Sequence, residues 1–127
     1  MKLIGFILAL CLSVDGWSQV INPSTERYLS AFLATTGSNE GKASFFHYLG
    51  QLESRKARMA SERDFVEYSF NATHKRYLKH FAKEASFATI FDDGRYNCLT
   101  GTILYSLILS HFNISHQVIE TNYHILF

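Results

Sequence analysis

The chain lacks an apolar run long enough to cross a bilayer as a helix, which needs about 20 residues. Its N-terminal apolar run, Leu3–Val14, follows a single lysine and precedes the small residues Gly16 and Ser18. That layout is typical of a secretory signal peptide, and a buried N-terminal helix is the structural alternative. We predict a signal peptide over residues 1–18, export to the periplasm, the cell envelope or the medium, and no stable membrane insertion after cleavage.

Cysteine is scarce as well. The sequence contains Cys11 and Cys98, and Cys11 lies in the predicted signal peptide. A mature chain over residues 19–127 therefore keeps one thiol and forms no intramolecular disulfide. In an oxidising compartment a lone thiol is a liability unless it is buried or useful. No second cysteine is left to join the histidines, so we expect no structural zinc site, and no cofactor is predicted.

An excess of charge of one sign is also missing. The formal net charge is +1, which is too close to neutral to predict a nucleic-acid partner. The sequence has no glycine-rich phosphate loop and no Ser–His–Asp pattern. Lys75, Lys79 and Lys83 recur at intervals of four residues, which is typical of the solvated face of a helix. The alternative is a surface that holds an anionic polymer of the cell envelope.

The residues that are present argue for one folded domain. Apolar residues make up 47% and aromatic residues 15% of the chain, which is typical of a protein with a core. A length of 127 residues fits a single domain, which we place at residues 19–127. Residues 24–85 are predicted to be mainly helical. Apolar spacings of three and four residues define two helix faces: Phe45, Leu49 and Leu52 on one, then Val66, Phe70, Tyr77, Leu78 and Phe81 on the next, which starts near Ser61 and Asp64.

The C-terminal third has a different pattern. Residues 98–112 carry apolar side chains around most of the circumference, which predicts a helix buried on several sides, with Asn113 as its cap. The segments "SHQVIET" and "YHILF" then predict two short strands joined by a tight turn at Thr121–Asn122. The predicted fold class is α+β, with a helical N-terminal part, a buried central helix bearing Cys98, and an antiparallel hairpin.

Cys98 opens the central helix, and its position has chemical consequences. Its sulfur is expected near free backbone N–H groups and the positive end of the helix dipole. Both favour the thiolate, which is the nucleophilic form. The backbone N–H of Cys98 also points to the place where an oxyanion would form. The alternative is that Cys98 is a small buried hydrophobe.

His124 is predicted to lie within reach of this thiol. The helix is about 22 Å long, and a chain reversal followed by a strand of about 17–20 Å returns the Thr121–Asn122 turn to the level of Cys98. His124 follows that turn, so its imidazole can take the proton of the thiol. The alternative is a half-buried strand histidine without a chemical role.

The segments "GRYNCLTGTILYSLIL" and "VIETNYHILF" together resemble the Cys and His motifs of the transglutaminase-like superfamily, within the papain-like cysteine enzymes. The resemblance covers residues 87–127 and implies a partial papain-like core. It implies that Cys98 is the nucleophile and His124 the base, acting on a carboxamide of a peptide or protein substrate. A second oxyanion donor is expected from Tyr96 or Asn97.

The third residue of that family's site, usually an Asp on the strand after the His strand, has no counterpart here. The sequence ends at Phe127, and Asp92 and Asp93 precede Cys98, so neither fits by order. We therefore expect this sequence to be a shortened copy of a longer protein. The predicted function is thiol-based acyl transfer, mainly hydrolysis of a peptide or amide bond, with transamidation as the other outcome. The alternative is a non-catalytic binding or scaffold domain that retains the fold.

Overall fold

The computed structural model describes residues 22–34, 40–120 and 125–126. The predicted signal peptide, residues 1–18, lies outside them. Within the described residues the chain is a mainly helical α+β protein, as predicted at that level. No helix in these ranges is both long and apolar enough to span a membrane. The elements are helices α1 (Pro23–Ala34), α2 (Glu40–Lys56), α3 (Glu62–Tyr77), α4 (Thr89–Asp92) and α5 (Cys98–His111), and strands β1 (His80–Phe81), β2 (Arg95–Tyr96), β3 (Ile119–Glu120) and β4 (Ile125–Leu126).

The start of α3 follows the local sequence. Ser61 has extended backbone angles, and its hydroxyl accepts a hydrogen bond from the backbone N–H of Asp64 at 3.1 Å. A serine in this position satisfies one of the N–H groups that the first turn of a helix leaves without a partner. The predicted start of this helix is therefore confirmed.

The end of α3 differs from the prediction, which extended the helix to residue 85. The backbone N–H groups of Lys79 and His80 both donate to the carbonyl oxygen of Gly94, at 2.9 and 3.0 Å. These bonds lead the chain into β1, which pairs in parallel with β2. The helix therefore ends at Tyr77, and Lys79 and Lys83 lie beyond it. The predicted lysine stripe on one helix face was wrong.

A tight turn connects α4 to β2. Gly94 has φ +79°, and a Cβ there would also lie 2.8 Å from the side chain of Lys79, so glycine is required. The backbone N–H of Arg95 donates to Asp93 at 3.1 Å, and its guanidinium lies 2.7 Å from the same carboxylate. The backbone hydrogen bond is the main cause that lowers the pKa of Asp93, and the Arg95 side chain adds to it.

The core lies between α1, α2, α3 and α5. The three apolar residues predicted for the face of α2, Phe45, Leu49 and Leu52, are all buried. The prediction for α3 was only partly right, because Tyr77 is buried but Val66 is half-buried and Phe70 is 43% exposed. Leu78 is buried just after the helix ends, and Phe81 is exposed in β1. The residues that α3 does bury recur every four positions: Phe65, Ser69, Thr73 and Tyr77.

Helix α5 is the central helix. It packs against α1, α3 and β4, and its buried positions lie on several sides, as predicted. At its C-terminal end Asn113 has φ 55°, and the N–H groups of Asn113 and Ile114 donate to Ser110 and Leu109. This pair of bonds is a Schellman motif, which satisfies carbonyl groups at a helix end. The predicted cap at Asn113 is confirmed.

The predicted antiparallel hairpin is present, with shorter strands than expected. Ile119 pairs with Leu126, and Glu120 pairs with Ile125. Residues 116–118, predicted as strand, are not in the ladder. The side chain of His116 instead contacts its own segment, where its Nδ1 lies 2.9 Å from the carbonyl oxygen of Ile114. The predicted turn at Thr121–Asn122 lies outside the described residues.

Candidate functional site

Cys98 is the first residue of α5, as the sequence predicted, and it is exposed. The alternative that it is a small buried hydrophobe is therefore wrong. The thiol lies at the N-terminal end of a 14-residue helix, where the backbone N–H groups of the first turn have no partner within the helix. This end of the helix favours negative charge. An accessible sulfur in this environment can react with an electrophile from solution.

Asn97 fixes the turn that presents the thiol. Its side-chain oxygen accepts from the backbone N–H of Thr100 at 2.9 Å, and its own backbone N–H donates to the Thr100 hydroxyl at 2.9 Å. Its amide nitrogen donates to the carbonyl oxygens of Lys83 and Ala85, both at 3.0 Å. The donors of Asn97 are thus engaged within the protein. In this structure Asn97 is a helix cap, with no hydrogen to spare for the predicted oxyanion role.

Tyr96, the other predicted positioning residue, lies in β2 immediately before the cap. Its carbonyl oxygen accepts a hydrogen bond from the N–H of Ala82 at 2.8 Å. Its ring packs edge-on against His74 and Phe81, with centroid distances of 6.2 and 5.9 Å. The structure therefore brings Tyr96 next to Cys98 as part of an aromatic wall.

Cys98 borders a shallow open depression of about 190 Å³ between α3, β2 and α5. We call it the α3–α5 depression. Its surface is almost wholly apolar, because it is formed by rings and aliphatic carbon, with the backbone of Gly101 in its lining. A nucleophile beside an apolar concavity can act on a ligand that the concavity holds. The side chains that line it besides Cys98 are Phe70, His74, Leu78, Tyr96, Asn97, Thr102 and Tyr105.

One pair of rings forms a wall of this depression. Phe70 of α3 stacks on Tyr105 of α5 with centroids 4.5 Å apart and ring planes 11° apart. The Tyr105 hydroxyl donates to the carbonyl oxygen of Phe70 at 3.1 Å. Burial raises the pKa of Tyr105, and the nearby Tyr48 and Tyr96 add to this effect. Tyr105 is therefore a neutral, fixed part of the wall at neutral pH.

His74 is a residue that sequence reasoning missed at this site. The sequence raised the histidines only as possible zinc ligands, yet His74 is exposed and lines the same depression as Cys98. The two residues are 24 positions apart in the sequence (98 − 74 = 24), and the pairing of β1 with β2 brings their segments together. No local pattern could have found this arrangement. Among the described residues, no group of three or more His, Cys, Asp or Glu side chains is placed to hold a metal ion.

His124, the predicted base, lies outside the described residues. The residue after it begins β4, and β4 packs against α5, the helix that carries Cys98. The elements that the prediction required to meet are therefore in contact. Proximity of the imidazole to the Cys98 sulfur remains a prediction.

The chain matches no protein-family model, no curated protein and no solved structure. The likeness to the transglutaminase-like superfamily therefore rests on the Cys98 and His124 motifs. The features of the site stand independently of it: an exposed thiol at a capped helix start, beside an apolar concavity.

Proposed function

We propose that this chain is an exported, transglutaminase-like protein that performs thiol-based acyl transfer on carboxamides. The observation that carries the proposal is the exposure of Cys98 at the first turn of α5. A structural cysteine is usually buried, whereas a reactive one needs access and an environment that favours the thiolate. The helix start supplies that environment.

In the proposed reaction the Cys98 thiol loses its proton to His124, and its sulfur attacks the carbonyl carbon of the carboxamide. The oxyanion that forms accepts hydrogen bonds from the Cys98 backbone N–H and from a second donor, for which Tyr96 remains the candidate. Protonated His124 then gives its proton to the leaving amine, and a thioester remains on the sulfur. Attack by water releases a carboxylic acid and restores the thiol, whereas attack by an amine completes a transamidation. Hydrolysis is the main proposed outcome because water is abundant around an open site.

The arrangement of elements supports a partial papain-like core as the architectural part of this proposal. A cysteine opens a helix that is buried on several sides, and an antiparallel hairpin follows with β4 packed on that helix. This is the order of elements that the superfamily resemblance implies for residues 87–127. The peptide or protein substrate is proposed on the same basis.

A second candidate function is binding without catalysis. The observations that favour it are the apolar surface of the α3–α5 depression and the engagement of the Asn97 donors within the protein. A surface of this kind holds apolar groups whether or not a nucleophile beside it reacts.

The rate of Cys98 alkylation by iodoacetamide, measured from pH 5 to pH 10, separates these two functions. The attacking species is the thiolate, so the curve follows its population. We expect wild-type protein to react faster at neutral pH than free cysteine in the same buffer. We expect His124→Ala to lower that rate.

Cys98→Ser serves as the blank for labelling elsewhere, and circular dichroism checks that each variant is folded. A wild-type rate at neutral pH no higher than that of free cysteine, unchanged in His124→Ala, would contradict the activated nucleophile. The binding function would then be the better account of this surface.

A further inference from the structure

The α3–α5 depression is apolar and open, with a volume of about 190 Å³, and the acyl-transfer chemistry does not specify what it holds. We propose that it is a binding site for one aromatic ring of a ligand, and that Gly101 keeps it open. The assignment goes beyond the proposed reaction, since binding here requires no bond to Cys98. If both hold, the bound group is the side chain of the acyl donor.

The size of the depression suits a single ring. Its volume is about 190 Å³, and an apolar protein cavity of about 150 Å³ is known to bind benzene. The depression is open at one side. A ligand can therefore place one ring in it while the rest of the ligand extends into solvent. Cys98 at its border would then lie beside the atoms adjoining the ring.

The wall of the depression presents aromatic surface. Tyr105 and Phe70 are held parallel at a centroid distance of 4.5 Å, and Phe70 is 43% exposed. An incoming ring can pack against exposed aromatic carbon in stacked or edge-on geometry. Ligand binding would cover apolar surface that the folded protein leaves in water.

Three polar side chains of the lining make little demand on a ligand. The Thr102 hydroxyl donates to the carbonyl oxygen of Cys98 at 2.7 Å, and the Tyr105 hydroxyl donates to that of Phe70 at 3.1 Å. The donors of Asn97 are engaged as well. An apolar group can enter without stripping these groups of their hydrogen bonds, which would otherwise oppose binding.

Gly101 is the residue that leaves the space open. A Cβ at this position would lie 3.6 Å from Tyr96 Cδ2 and 3.8 Å from Leu78 Cδ1, which are ordinary contact distances. Packing therefore does not require glycine here, and glycine in a helix is less favourable than alanine. The backbone of Gly101 is helical and its φ is not positive. The effect of the missing side chain is to leave space between Tyr96 and Leu78.

Affinity labelling of Cys98 tests the site with defined probes. The full chain is alkylated with N-benzyl iodoacetamide and, in parallel, with N-methyl iodoacetamide. The ratio of the two rate constants is divided by the same ratio for glutathione. This corrected ratio reports binding of the ring, because any change in the reactivity of the thiol affects both reagents. We expect about tenfold preference for the benzyl reagent in wild type, as partial burial of a ring supplies.

Two substitutions at Gly101 should reduce that preference in steps. We expect Gly101→Ala to lower it to about threefold and Gly101→Val to bring it to about one, since each added methyl group fills part of the space that the ring needs. Gly50→Ala is the matched control, because Gly50 lies inside α2 and does not line the depression. It should keep the wild-type preference.

A wild-type ratio near one would overturn the proposal, and so would an unchanged ratio in Gly101→Ala. If Gly101→Val fails to fold, as judged by circular dichroism, Gly101→Ala alone decides, because its methyl group meets only ordinary contacts. The result is independent of the proposed reaction. A thiol without activation still yields a ratio, and an activated thiol beside a non-binding surface yields a ratio of one.

Discussion

The two faces of α3 differ in a way that hydrophobicity alone does not explain. One face carries Phe65, Ser69, Thr73 and Tyr77, and all four side chains are buried. The other carries Val66, Phe70 and His74, and these are half-buried or exposed. The buried face carries three hydroxyl groups and meets the core, whereas Phe70 and His74 on the other face line the α3–α5 depression. Whether a side chain of α3 is buried therefore depends on what its face packs against, and not on its hydrophobicity alone.

Hydrogen bonds engage two of the three hydroxyl groups on the buried face, those of Ser69 and Thr73. The Tyr48 hydroxyl of α2 lies 2.9 Å from the Thr73 hydroxyl, and the Ser69 hydroxyl donates to the carbonyl oxygen of Val66 at 2.9 Å. Buried polar groups cost little when they are paired. The rings of Tyr48 and Tyr77 pack edge-on with centroids 5.3 Å apart, which closes this interface.

The other face keeps its aromatic surface accessible. Phe70 stacks on Tyr105, and it remains 43% exposed. A protein gains stability by burying such a ring, so its exposure beside Cys98 is consistent with a surface used for binding. The accessible aromatic ring of α3, Phe70, therefore lies at the candidate site. On the buried face, the Thr73 hydroxyl helps to hold α3 against α2.

The largest expected effect comes from truncating one ring on each face. Phe65 is fully buried, and its ring centroid lies 4.7 Å from that of Phe112. Phe65→Ala should therefore lower the free energy of unfolding by about 3–5 kcal/mol. Phe70→Ala should lower it by about 1–2 kcal/mol, since it removes a partly exposed ring and one stacking contact. Urea unfolding followed by circular dichroism measures both.

The matched pair lies on one helix and makes one chemical change, so helix propensity cancels between them. Equal losses for the two variants would show that the faces do not differ in packing. A loss of benzyl preference in folded Phe70→Ala would further connect the exposed face with ligand binding.

A smaller effect is expected from Tyr48→Phe, which removes the hydrogen bond between α2 and α3. The Thr73 hydroxyl, fully buried, then loses its partner, and we expect a loss of about 1–2 kcal/mol at pH 7. Burial raises the pKa of Tyr48 from 10.0 to about 12, an effect that its bond to Thr73 partly opposes. Because the folded pKa lies above the unfolded value, the stability that depends on buried, neutral Tyr48 is fully present below about pH 10 and is lost as the pH rises towards 12.

Denaturation midpoints in urea, measured between pH 8 and pH 12, test that dependence. Wild-type stability should fall above pH 10, and the fall should be shallower in Tyr48→Phe, which has one fewer ionisable group. Identical slopes would mean that Tyr48 ionises equally in the folded and unfolded chains.

Local patterns predicted those features that depend on neighbouring residues in the sequence. The start of α3 at Ser61, the buried α2 triplet and the cap at Asn113 all arise within one or two turns of a helix. The sequence could also have identified Asn97 as a cap, since asparagine before an apolar helix is a strong start signal. The oxyanion role expected of Asn97, for which Tyr96 was the alternative, did not take that signal into account.

The features that the sequence did not predict depend on long-range contacts. The pairing of β1 with β2 joins residues 15 positions apart (95 − 80 = 15) over a ladder of two residues, which is too short to give a periodic pattern. That pairing ends α3 early and brings His74 and Cys98 to one surface. The burial of Thr73 likewise depends on Tyr48, 25 residues earlier in the chain. The start of the helix that bears Cys98 was therefore predictable, and the shape of the surface beside it was not.

The smallest expected effect comes from removing the Ser69 hydroxyl of the buried face. The Ser69 hydroxyl donates to the carbonyl oxygen of Val66 in its own helix. Val66 lies inside α3, so its carbonyl group stays within the helix when the serine hydroxyl is removed. Ser69→Ala also replaces serine with the residue that favours helices most. We expect a change within about 0.5 kcal/mol in the free energy of unfolding, against the larger loss in Tyr48→Phe. A loss of more than about 1 kcal/mol in the free energy of unfolding of Ser69→Ala would contradict this expectation. The hydroxyl of Ser69 would then stabilise the fold as much as the bond between Tyr48 and Thr73 does.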